Sequence, residues 1–83
     1  MFYDTTVLLS FKMSRLKQIR QNKNYSQVQL AYMSKVNIRT IKAYEQRTRD
    51  INKASADVLY RLSKALGCDI TDLLEDDAAS RIK

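Results

Sequence analysis

Beyond residue 13, apolar positions recur at three- and four-residue intervals in five short runs. Leu16 and Ile19 follow Ser14, which predicts a first helix over about 14–22 with Ser14 as N-cap. Ser26 and Gln29 make a capping box, and Tyr25 and Leu30 stand at the hydrophobic-staple positions, so a second helix runs to about Met33. Asn37 caps a third, with Val36 and Ile41 as its staple, ending near Gln46. Leu59, Leu62 and Leu66 form one stripe of a fourth helix over about 54–66, and Gly67 is its C′ residue. Asp69 caps a short fifth over about 70–75, with Ile70, Leu73 and Leu74 inward. The pattern predicts an all-α, five-helix domain over 14–75 and a solvated tail over 76–83; the adjacent acids Glu75, Asp76 and Asp77, where the two meet, read as solvated tail.

Residues 1–13 follow another period. Thr5, Val7, Leu9 and Phe11 alternate with Thr6, Leu8, Ser10 and Lys12, which reads as a β-strand arm. A five-helix domain has no sheet for it to join. Pairing with the same strand of a second chain would satisfy its backbone, so Val7, Leu9 and Phe11 are candidate dimerisation residues. The rival reading is a helix capped by Asp4 that lengthens the first helix and sets Leu9, Met13 and Leu16 on one stripe.

Composition narrows the chemistry. Eighty-three residues make one domain with a thin core. There is no His and one Cys, so neither a metal cluster nor an intramolecular disulfide is expected. Cys68 reads as a core residue. No nucleophile–base pair or phosphate-cradling glycine loop is present, so the expectation is a non-enzyme without cofactor. No apolar run is long enough to cross a membrane, and with no export signal and a lone Cys the expected location is the cytoplasm, at the nucleoid. Charge is uneven. Residues 14–53 hold ten Lys/Arg against Glu45 and Asp50, a balance of +8, whereas 54–83 hold four basic and six acidic residues. A basic half suits a polyanion, and a solvated Lys-rich surface would give the same count.

The second and third helices, separated by Ser34–Val36, fit a helix-turn-helix. On a wheel at about 100° per residue, Ile38, Lys42, Gln46, Arg39 and Ala43 fall within an arc of roughly 140°, with Ile41 and Tyr44 opposite. An outward Ile beside Arg39 and Lys42 is odd for a solvated face. It suits base edges, where Ile can touch a thymine methyl and Arg can pair with guanine.

The stretches RLKQIRQNKNYSQVQLA, VNIRTIKAYEQ and LSKALGCDITDLL resemble the lambda-repressor/Cro-like (XRE-type) helix-turn-helix family, over about 60 of the 83 residues, Arg15–Leu74. The resemblance implies that Gln27 touches a phosphate and braces the third helix, and that Ala31 sits where the two helices cross. It implies that Ile41 and Tyr44 are buried, and that Glu45 makes a structural hydrogen bond or ion pair. Ile38, Arg39, Lys42 and Ala43 match base-contacting positions, and Thr40 a phosphate-contacting one. Two departures stand out. Lys35 and Arg47 occupy positions where the family usually has Gly, at a cost of about 1 kcal/mol each if φ is positive. Both are basic, which adds candidate phosphate contacts, as does Arg49.

The expectation is therefore a sequence-specific transcriptional regulator, a repressor, acting as a homodimer on double-stranded DNA. The alternative is an antitoxin that binds both DNA and a protein toxin. A third reading, an interaction module that has lost DNA binding, is opposed by the presence of Arg39 and Lys42.

Overall fold

Each helix of the domain is started by a side chain that answers its first free N–H groups. The computed structural model describes residues 13–75. Among them are α1 (Arg15–Asn22), α2 (Gln27–Ser34), α3 (Ile38–Glu45), a 3-10 turn (Ile51–Lys53), α4 (Ala56–Leu66) and α5 (Ile70–Leu73), with no strand. The strand or helix expected for the arm, and the tail 76–83, lie outside the described residues.

The caps are as the sequence predicts. Ser14 Oγ accepts from the Lys17 N–H at 3.1 Å. Ser26 and Gln29 exchange bonds of 2.8 and 3.0 Å in a full capping box. Asn37 Oδ1 accepts from the Arg39 N–H at 2.7 Å. The fourth start is two residues later than expected. Ser55 Oγ takes the Val58 N–H at 3.2 Å, and the residues before it wind instead into the 3-10 turn, begun by Asp50 accepting from the Asn52 N–H at 2.9 Å. Helix α5 ends at Leu73, because Leu74 is already extended.

The core is Leu16 from α1, Leu30 from α2, Val36, Ile41 and Tyr44 around α3, Ile51, then Leu59, Leu62 and Leu66 from α4 and Leu73 from α5. Helix α2 packs on α3 and α4, α1 on α3 and α5, and α4 on α5. Helix α3 is thus held along one side by α1 and α2, through Ile41 and Tyr44, while Arg39 and Lys42 are exposed.

Candidate nucleic-acid interface

Helices α2 and α3 are joined through Lys35, Val36 and Asn37. Lys35 takes the left-handed conformation, φ 60°, and its N–H closes on Ala31 O at 2.8 Å. Arg47, after α3, is also left-handed, φ 62°. The two positions expected to bear the missing-glycine cost therefore do so, about 1–2 kcal/mol apiece.

Along α3 the inner face is closed: Ile41 is fully buried and Tyr44 nearly so. Arg39 and Lys42 are exposed on the opposite side, with Ile38, Thr40 and Ala43 half-buried. Ile38 is thus less open than the wheel suggested. Of the four residues expected from sequence to meet bases, the two cations are open to solvent and the two apolar side chains are partly covered.

The orientation of α3 relative to α1 and α2 is set by Glu45. Its Oε2 accepts from Arg20 Nε at 2.7 Å, and its Oε1 from Arg20 Nη2 at 3.0 Å and Gln27 Nε2 at 2.9 Å. Arg20 Nη1 donates to Tyr25 O at 2.8 Å, so the guanidinium is used on both edges. Gln27 does brace α3, as the resemblance implied. Arg20 was missed, although it lies four residues after Leu16 on the inward stripe of α1. An Arg at such a position needs a buried anion, and Glu45 was available.

The loop after α3 folds back on it. Thr48 N–H bonds Ala43 O at 2.9 Å, and the Arg49 guanidinium sits 5.3 Å from the centre of the Tyr44 ring. Arg47 Nη2 reaches Glu75 Oε1 at 3.1 Å and Met13 O at 3.3 Å. Glu75 is accordingly half-buried and bonded, a correction to its placement in a solvated tail. The sequence showed three adjacent acids and no partner for any of them, because Arg47 lies 28 residues away.

Helix α2 presents an outer face of Val28, Gln29, Tyr32 and Met33, without a charge. Tyr32 is 84% exposed. Cys68 is half-buried against the core; burial, then Asp72 and Asp69, push its thiol up, opposed by Lys23. Among the described residues there is no metal-binding group of acids, Cys or His, and no helix long and apolar enough to cross a membrane.

Two short helices joined by a tight turn, the second tied to α1 by a buried ion pair and exposing Arg39 and Lys42, are the arrangement of a DNA-binding helix-turn-helix regulator. A family model described as Helix-turn-helix matches residues 16–73. The chain belongs to this helix-turn-helix family, of lambda-repressor-like (XRE) type. Neither curated proteins nor solved structures give a match.

Proposed function

We propose that the chain is a sequence-specific transcriptional repressor that lays α3 in the major groove. The observation that carries the reading is the outward arc of α3, where Arg39 and Lys42 stand clear of every core contact beside Ile38 and Ala43. Arg39 and Lys42 supply the polar readout of base edges, and Ile38 and Ala43 the apolar contact. Gln27, Lys35, Thr40 and Arg49 are the proposed phosphate contacts, with the positive end of the α3 dipole adding to them. A single helix reads few base pairs, so two copies are needed, with Val7, Leu9 and Phe11 as the proposed dimer contact.

Selection of bound sequences from a random DNA pool tests this. A two-fold symmetric site is expected, with half-sites about 34 Å apart; an asymmetric single half-site would remove the dimer. Arg39→Ala should lose about 1–3 kcal/mol of discrimination at one base position. Equal loss on selected and random DNA would show that Arg39 does not read a base.

Lys35→Gly separates fold from affinity. Glycine relieves the left-handed backbone, and the greater freedom of the unfolded chain offsets part of that gain, so the net stabilisation is at most about 1 kcal/mol. DNA affinity should fall on all sequences alike, with the salt slope reduced by about 0.9 for one lost phosphate contact. Thermal melts and salt-dependent binding curves read the two effects separately.

A second reading, the antitoxin, is favoured by the uncharged outer face of α2. In a chain of net charge +6, a helix side with Val28 and Tyr32 in water fits a protein partner better than DNA. A toxin-like reading frame beside this one would promote it.

A further inference from the structure

Both backbone polar atoms and both carboxylate oxygens of Glu75 are engaged. Its N–H donates to Asn52 Oδ1 at 2.8 Å, and its carbonyl accepts from Asn52 Nδ2 at 3.1 Å. Oε1 takes Arg47 Nη2 at 3.1 Å, and Oε2 takes the Arg15 N–H at 3.0 Å. The partners come from three separate places: the first turn of α1, the turn after α3 and the 3-10 turn before α4. The Asn52 amide presents a donor and an acceptor side by side, as a neighbouring peptide would. The carboxylate also sits at the start of α1, where free N–H groups favour an anion.

The loop held in this way, residues 46–53, follows α3 directly in the chain and carries Arg47, Arg49 and Lys53. We infer that Glu75 is a positioning residue for DNA binding, fixing this basic loop against α3, and that Arg47 serves the clasp and not a phosphate. The inference rests on the DNA-binding reading. Arg47 keeps a left-handed backbone that glycine would adopt freely, and its side chain spans Glu75 and Met13 O, which together tie the loop to both ends of the domain. An ion pair with this much exposure contributes little by itself. The effect therefore lies in the geometry of the loop.

The test is Glu75→Gln and Arg47→Ala in the full chain, with DNA from the random-pool selection and random DNA as probes. Glu75→Gln makes the chain more positive, so long-range electrostatics alone would tighten its grip on any DNA. The clasp predicts the opposite for the selected site: affinity falls about threefold to tenfold while random DNA is held as before. Arg47→Ala should give a similar loss with an unchanged salt slope, and the double variant should be no worse than either single one. Tighter binding of Glu75→Gln to all DNA, or a salt slope lowered by about 0.9 in Arg47→Ala, would make Arg47 a phosphate ligand and overturn the proposal. If the wild-type chain selects no sequence, the DNA reading fails. The clasp is then judged by thermal melts, where non-additive losses for the two substitutions support it and additive ones refute it.

Discussion

Glu45→Ala should destabilise the domain by about 3–5 kcal/mol. The loss is not the strength of the ion pair, since an apolar pair of the same shape could replace both partners at little cost. It comes from leaving Arg20 charged and enclosed with one edge of its guanidinium unanswered; its side chain is 10% exposed. Gln27 Nε2 would lose its acceptor as well. A chain of 83 residues has about 4–12 kcal/mol to lose. The variant should therefore give up a quarter or more of its stability, and its midpoint should fall by about 4–8 °C per kcal/mol. Thermal melts of Glu45→Ala, Arg20→Met and the double variant Arg20→Met with Glu45→Leu check this. The double variant should be the more stable of the two that lack Glu45. If Glu45→Ala melts within a few degrees of wild type, the network does not hold α3.

Ile41→Ala should cost about 2–5 kcal/mol. Ile41 has no exposed surface and lies on the side of α3 that meets the core. Truncation removes buried methylenes and leaves a cavity that the surrounding core fills only in part. Ile38→Ala, one turn earlier on the same helix, should keep most of its stability, because Ile38 is only half-buried. The pair separates the two faces of α3. Ile41→Ala should lose stability first and DNA affinity as a consequence, and Ile38→Ala the reverse. Urea titrations with binding measured well below each midpoint distinguish them. Equal stability losses would mean that the outward arc has been misplaced.

What could be read from the sequence was whatever local chemistry decides. Ser14, Ser26 and Asn37 cap their own helices within three residues, and the leucine stripe of α4 needs only its own period. The helix-turn-helix was legible for the same reason, and so was the burial of Ile41 and Tyr44. Boundaries slipped where two local options competed, as at Ser55, which captures a later N–H than the apolar pattern implied. The features that escaped depend on pairing across the chain. Arg20 looked like one more surface cation, and Glu75 like the first residue of an acidic tail. Their partners stand 25 and 28 residues away, a relation that no single run of sequence displays.

The meeting of Met13, Arg15, Arg47 and Glu75 also has a consequence for architecture. The domain begins and ends at one corner, since a single guanidinium touches both Met13 and Glu75. Chain that leaves the domain at Met13 and chain that leaves it at Glu75 therefore start from the same corner, beside the loop that follows α3.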